Sequence, residues 1–327
     1  MEEVLKFDII IIGAGPAGLA AAKSAADAGA KKILIIDRGF APGGILLQCA
    51  HKGFGKAEYG EFLTGPDYAE KTYAKIADNS AITIWLDTVV LELNAKKELT
   101  CVSPERGLQK LWGKIIILAM GCREQSRGSI LVPGDRLAGI ITAGVAQRLI
   151  NVFDYLPGQR VVVLGTGDIG VVTASELTEA GCQVLGIVER YSKPKGLEHN
   201  ISHCIDDLKI PIYLSHTIID IQGRERVEKV TIAKVDSSYR PIAGTEFTLE
   251  CDTVVLSVGF RPEHILVSEL PIPLDPVLGG VVADDEGRTA LEGFYAAGNV
   301  IKIFESTDTL TRQAERAGRA AAQALLE

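Results

Sequence analysis

The chain has no C-x-x-C pair, no apolar run of bilayer length and no surplus of positive charge. Each absence excludes something. The six cysteines, Cys49, Cys101, Cys122, Cys182, Cys204 and Cys251, stand far apart in 327 residues, so no disulfide framework is expected. They read as reduced, packed thiols. A membrane span needs about 18 or more consecutive apolar residues, and none is expected here. Lys and Arg number 34 against 42 Asp and Glu, and the net charge of −8 argues against a nucleic-acid face. The opening MEEVLKFD carries neither the basic segment nor the apolar core of a signal peptide, so a cytoplasmic location is expected. The length suits about two domains, enough to bury a core without staples.

The most informative stretch is Phe7 to Arg38, FDIIIIGAGPAGLAAAKSAADAGAKKILIIDR. Phe7 to Ile12 is an apolar, β-branched run that reads as a strand buried on both faces. Gly13, Gly15 and Gly18 give G-x-G-x-x-G, and Ala17 to Ala28 reads as a closely packed helix. A second apolar run ends at Asp37, nineteen residues after Gly18. In a βαβ unit the first glycine makes the turn, the second admits a pyrophosphate and the third lets helix lie on strand. The helix N-terminus supplies unpaired N–H groups and partial positive charge, and Asp37 can accept hydrogen bonds from ribose hydroxyls.

The same pattern returns 152 residues later. Arg160 to Leu164 is a strand, Gly165, Gly167 and Gly170 form G-x-G-x-x-G, and Val171 to Ala180 is a helix. The next strand ends at Glu189, again nineteen residues after the third glycine. A repeated dinucleotide-binding unit implies two nucleotides in one chain. Glu189 bonds a free 2′-hydroxyl and repels a 2′-phosphate, so NAD(H) is expected over NADP(H), although Arg190, Lys193 and Lys195 follow it. Further strands are expected at Ile82–Trp85, Thr88–Leu93, Glu98–Val102, Lys114–Ala119, Pro211–Leu214, Thr217–Gln222, Val227–Val235, Thr245–Glu250 and Thr253–Val258. The segment between Arg38 and Gly55 reads as a glycine-punctuated loop, and Asp67 as the cap of a helix over Tyr68 to Ala77. A long alanine-rich helix, Thr309 to Leu326, is expected to return to the first domain. The expected division is a first dinucleotide-binding domain over 1–124 and 262–327 and a second over 125–261, each a doubly wound, Rossmann-like α/β fold of three layers.

IGAGPAG at 12–18, Gly43-Gly44, Ala119-Met-Gly121, the second glycine motif and FYAAGN at 294–299 resemble the two-dinucleotide-binding-domain flavoproteins of the thioredoxin reductase and glutathione reductase family. RQAERAGRAAA, 312–322, is similar to the closing helix of thioredoxin reductases. GGILLQCAHKGFG, FLTGPDYAEK, GLEHNISHCIDDLKIP and CDTVVLSVGFRPE resemble the FAD/NAD oxidoreductases that accompany anaerobic glycerol-3-phosphate dehydrogenases and related amine or amino-acid dehydrogenases. The resemblance implies FAD in the first unit and NAD(P)H in the second. It assigns Gly13, Gly15, Pro16, Ala17, Asp37 and Arg38 to the FAD pyrophosphate and ribose. Gly43, Gly44, Gln48, Val90, Ala119, Gly121, Gly298, Asn299, Arg312, Gln313 and Ala314 are assigned to the rest of the flavin. Gly165, Gly167, Asp168, Ile169, Gly170, Glu189, Arg190 and Gly259 belong to the second nucleotide. Asn299 departs from the usual aspartate, and the missing C-x-x-C argues against thiol–disulfide relay, which needs two neighbouring thiols.

These readings make an FAD-dependent NAD(H) oxidoreductase, expected to feed or drain a partner dehydrogenase or other electron-transfer protein. A free-standing reductase of a quinone or dye, a thioredoxin reductase-like protein without its cysteine pair, and a scaffold with a structural flavin are the alternatives; a homo-oligomer is left open. Cys49 and His51 can place a thiol and an imidazole beside a flavin, but a packed Cys and a surface His are favoured. His199, His203 and Cys204 have helical spacing, yet a catalytic zinc site wants three rigid ligands, and no metal is expected.

Overall fold

A computed structural model describes residues 4–326. The chain divides into one unit of Met1–Arg123 with Arg261–Glu327 and another of Glu124–Phe260. Both are α/β units built on parallel sheets.

In the first unit the strand Leu5–Ile12 lies between Ile33–Ile36 and Gly107–Leu118, parallel to both. Ile82–Trp85 extends the sheet beyond Ile33–Ile36, and Phe294–Ala296 pairs with the far end of Gly107–Leu118. Ile9, Ile10 and Ile11 are fully buried because the sheet is covered on both sides. Each such side chain contributes about 1.5–3 kcal/mol through burial. One face packs on the helices Pro16–Asp27 and Thr307–Gln323, the other on the 265–301 segment and an antiparallel layer. In that layer Val89–Leu93 pairs with Glu98–Ser103, which pairs with the first half of Gly107–Leu118. The two helices need small residues to meet. A Cβ on Gly318 would lie 2.1 Å from the Ala21 carbonyl oxygen, and Ser24 Oγ donates to the Glu315 carbonyl at 2.7 Å.

The second unit has a parallel sheet in the order Ile140–Thr142, Thr253–Leu256, Arg160–Leu164, Gln183–Glu189, Ile212–Leu214. Helices Ala143–Phe153 and Asp168–Glu179 cover one face. A three-stranded antiparallel sheet of His216–Gly223, Val227–Lys234 and Phe247–Glu250 packs on the other. The two connecting segments, Cys122–Glu124 and Phe260–Pro262, pair with each other.

Several local expectations are corrected. The third helix is Gly65–Ala74, and its cap is Thr64, whose Oγ1 accepts the Asp67 N–H at 3.2 Å. Pro66 stands in the first turn, so the helix begins three residues earlier than an Asp67 cap would allow. The strand expected over Lys114–Ala119 begins at Gly107. The 38–55 loop contains a 3₁₀ turn, Gly44–Gln48, and a short strand, Lys52–Phe54. The helix Ala143–Phe153 was not expected from the sequence. His199, His203 and Cys204 do not converge. His203 bonds Asp207 at 2.8 Å and Glu179 at 3.2 Å, and these partners raise its pKa, the Asp207 bond most; Cys204 is fully buried in the core.

Candidate functional site

Each unit presents a glycine loop closed by an acid, and the two are wired alike. In the first, the strand Leu5–Ile12 ends where the chain turns through Gly13 to Gly15 into the helix Pro16–Asp27. A Cβ on Gly18 would lie 1.8 Å from the Gly13 carbonyl oxygen, so only glycine lets the helix start this close to the strand. A Cβ on Gly15 would meet nothing within 4 Å. Asp37, at the end of the next strand, accepts the Ala14 N–H on Oδ2 at 2.5 Å and the Gly39 N–H on Oδ1 at 2.6 Å. A carboxylate has about four acceptor positions, so acceptor capacity is left for a ribose.

Around this loop the structure gathers several of the expected residues. Gly43 donates its N–H to the Ala14 carbonyl at 2.8 Å, and a Cβ on Gly44 would lie 3.0 Å from Gly15 Cα. A Cβ on Gly13 would meet the Ala119 carbonyl oxygen at 2.3 Å, and one on Gly298 would meet Ala17 Cβ at 2.6 Å. Gln313, buried in the last helix, accepts the Gly298 N–H at 2.9 Å and donates to the Ala296 carbonyl at 3.3 Å. Asn299 is held at both ends of its amide: Oδ1 accepts the Phe304 N–H at 3.0 Å and Nδ2 donates to Cys122 Sγ at 3.6 Å.

Other expected residues stand differently. Arg312 is exposed, with Nε donating to the Asp308 carbonyl at 3.3 Å, and Ala314 is buried in the core between helices and sheet. Val90 packs against the opposite core from the antiparallel layer. Arg38 is exposed beside Asp37, Gln48 is buried, and Gly121 accepts the Glu263 N–H at 2.9 Å. Cys49 is buried with Sγ donating to the Ile45 carbonyl at 3.3 Å, and the His51 ring lies 5.3 Å from that of Phe54.

The second loop repeats the design. A Cβ on Gly165 would lie 2.0 Å from the Ser257 carbonyl oxygen, one on Gly170 would lie 2.2 Å from the Gly165 oxygen, and one on Gly167 would meet nothing within 4 Å. Glu189, 5% exposed, accepts the Thr166 N–H and Oγ1–H on Oε2 at 2.9 and 2.6 Å, and the Tyr191 N–H on Oε1 at 3.0 Å. Asp168 opens the helix, and its Oδ1 accepts the Leu197 N–H at 2.6 Å and the Asn200 amide at 3.1 Å. Ile169 packs against the helix-side core, Arg190 stacks on Tyr191, and Gly259 accepts the Gln125 N–H at 2.9 Å. Sequence reasoning passed over Thr166; the signal was there, since Ala14 holds the same place in the first motif.

Both loops fit a pyrophosphate. The helices at Gly15 and Gly167 have no side-chain cap, whereas Thr64 and Ser306 cap theirs. No side chain of the N-cap residue competes for the first N–H groups there, and the helix dipole favours an anion. Among the described residues no group of three or more His, Cys, Asp or Glu could hold a metal, and no helix is long and apolar enough to cross a membrane.

Residues 7–324 match the model of a family described as pyridine nucleotide-disulphide oxidoreductases. The chain belongs to that family. It is 30% identical to a thioredoxin reductase of Listeria monocytogenes over 90% of this chain and 86% of that one. It is 27% identical to an opine oxidase subunit of Rhizobium meliloti over 98% of its own length but 62% of the relative's, and so spans under two thirds of that protein. The crystal structure of T. acidophilum thioredoxin reductase, 22% identical, superposes with a TM-score of 0.79 over 98% of this chain and 99% of that one, which establishes the shared two-domain Rossmann-like fold. This chain thus has the fold of an oxidoreductase family to which it belongs, with two acid-closed loops.

Proposed function

We propose that this oxidoreductase holds FAD in the unit of Met1–Arg123 with Arg261–Glu327 and NAD(H) in Glu124–Phe260, and passes electrons to or from a partner dehydrogenase. The observation that carries the reading is the repeat itself: two open glycine loops, each on an uncapped helix and each closed by a hydrogen-bonded acid. Asp37 and the Pro16–Asp27 helix would bind ribose and pyrophosphate of FAD, while Gly43, Gly44, Gly298 and the Asn299 amide would border the rest. Glu189 and the Asp168–Glu179 helix would do the same for NAD(H), with the carboxylate favouring a 2′-hydroxyl. The bound pair supplies hydride transfer between nicotinamide and flavin; the protein supplies position and electrostatics.

Support for a protein partner comes from the cysteines and from the relatives. Burial pushes the thiols of Cys101, Cys182 and Cys204 up, and that of Cys251 up to about 12, so all four stay protonated near neutrality. The opine oxidase relative is by name one subunit of a larger enzyme. The test is NADH oxidation assayed with a protein disulfide, with a viologen or quinone dye, and with whichever dehydrogenase co-purifies. Dye reduction should survive Cys49→Ser and quicken with the partner. Rapid disulfide turnover that vanishes in Cys49→Ser would overturn the proposal.

A further inference from the structure

The two glycine loops differ in one side chain that matters for selectivity. In the first unit Ala14 offers Asp37 only its N–H. In the second, fully buried Thr166 donates both its N–H and its hydroxyl to Glu189 Oε2, at 2.9 and 2.6 Å. The same hydroxyl oxygen accepts the Lys195 N–H at 3.2 Å, while Tyr191 N–H holds Glu189 Oε1 at 3.0 Å. Thr166 therefore ties the acid to the strap that follows it. The strap is closed a second time by Asp168, which accepts the Leu197 N–H at 2.6 Å.

That strap carries the cations able to attract a 2′-phosphate, and two of them are occupied. The Arg190 guanidinium lies 5.0 Å from the Tyr191 ring and 5.4 Å from the Tyr239 ring, and Lys195 Nζ lies 3.7 Å over Tyr191. Cation–π contacts of this kind hold a charge in place without neutralising it. With three protein hydrogen bonds the Glu189 carboxylate cannot swing aside, so a 2′-phosphate would meet a fixed negative charge in a nearly dry setting, where repulsion is strong. Without the hydroxyl, the carboxylate is held by the Thr166 and Tyr191 N–H groups alone and the Lys195 backbone loses its anchor. Both changes lower the barrier to a phosphorylated ribose.

We infer that Thr166 is a specificity-determining positioning residue, which fixes Glu189 and the 190–197 strap so that the second unit takes a nucleotide with a free 2′-hydroxyl. This rests on the NAD(H) reading of Glu189. The experiment is calorimetric binding of 5′-AMP and 2′,5′-ADP, fragments that differ only in the 2′-phosphate, to the purified holoprotein. Wild type should bind 5′-AMP more tightly; no preference would overturn the Glu189 reading and the role of Thr166 with it. Thr166→Ala, which copies the residue the first loop already accommodates, should narrow the affinity ratio about tenfold, the effect of one hydrogen bond to a charged group. Thr166→Ser should keep the wild-type ratio, and Thr166→Ala should change the ratio less in a Glu189→Ala background than in wild type. A wild-type ratio in Thr166→Ala, or a ratio in Thr166→Ser as narrow as in Thr166→Ala, would overturn the assignment while leaving the Glu189 reading intact.

Discussion

Asp37→Ala is expected to purify without FAD. The carboxylate lies at the end of a fully buried strand, Ile33–Ile36, and is aimed back at the glycine loop by the Ala14 and Gly39 N–H groups at 2.5 and 2.6 Å. Its removal takes away the ribose acceptor and leaves the Ala14 N–H without its partner. Hydrogen bonds to a charged group are worth about 1.5–3 kcal/mol each, so losing two weakens binding by a hundredfold or more. Asp37→Asn, which keeps an acceptor oxygen but not the charge, should fall between. The backbone frame should survive, because Asp37 N–H bonds the Trp85 carbonyl and its own carbonyl accepts the Thr88 N–H, both at 2.9 Å. Gel filtration followed by flavin absorbance reads the result. A full complement of FAD in Asp37→Ala would remove Asp37 from the site.

Gly170→Ala is expected to separate the two nucleotides. Its Cβ would lie 2.2 Å from the Gly165 carbonyl oxygen and 3.0 Å from Ser257 Cβ and Oγ, so the helix Asp168–Glu179 must move off the strand. A displacement of about 1 Å in a positioning element can cost a hundredfold in rate, and NADH-dependent reduction should fall at least that far. FAD should be retained, because the first unit has its own cores. Gly167→Ala makes the informative contrast. Its Cβ meets nothing within 4 Å and its backbone is extended, at φ −63° and ψ 164°, so stability should not change. The methyl would nonetheless stand where the pyrophosphate approaches. Thermal melts and NADH titrations distinguish the cases: Gly170→Ala should lose both stability and binding, Gly167→Ala binding alone. Unchanged NADH binding in both would contradict a nucleotide at this loop.

The loops and their acids were legible because every link in them is local. A buried strand, a tight turn, an uncapped helix and an acid at a fixed spacing all lie within about thirty residues. What was missed depends on distant partners. The helix Ala143–Phe153 has no capping side chain of its own; its Gly144 N–H is accepted by the Glu124 carboxylate, at 2.9 and 3.0 Å, from twenty residues away. The first half of Gly107–Leu118 looks too polar for a strand because its neighbour is the antiparallel Glu98–Ser103, with solvent beside it. His199, His203 and Cys204 have helical spacing in the sequence, but in the fold Cys204 lies in the core and His203 beside carboxylates. Thr166 could be noticed only by laying one motif on the other. Its bond to Lys195 spans twenty-nine residues and no local pattern announces it.

Two nucleotides in two acid-closed loops, exchanging electrons, form the centre of the proposed mechanism. An anaerobic titration of the purified protein, followed by its visible flavin absorbance, tests this most directly. One FAD per chain is predicted, bleached by NADH and bleached more slowly by NADPH at equal concentration. Protein that carries no flavin, or whose flavin NADH leaves oxidised, would contradict it.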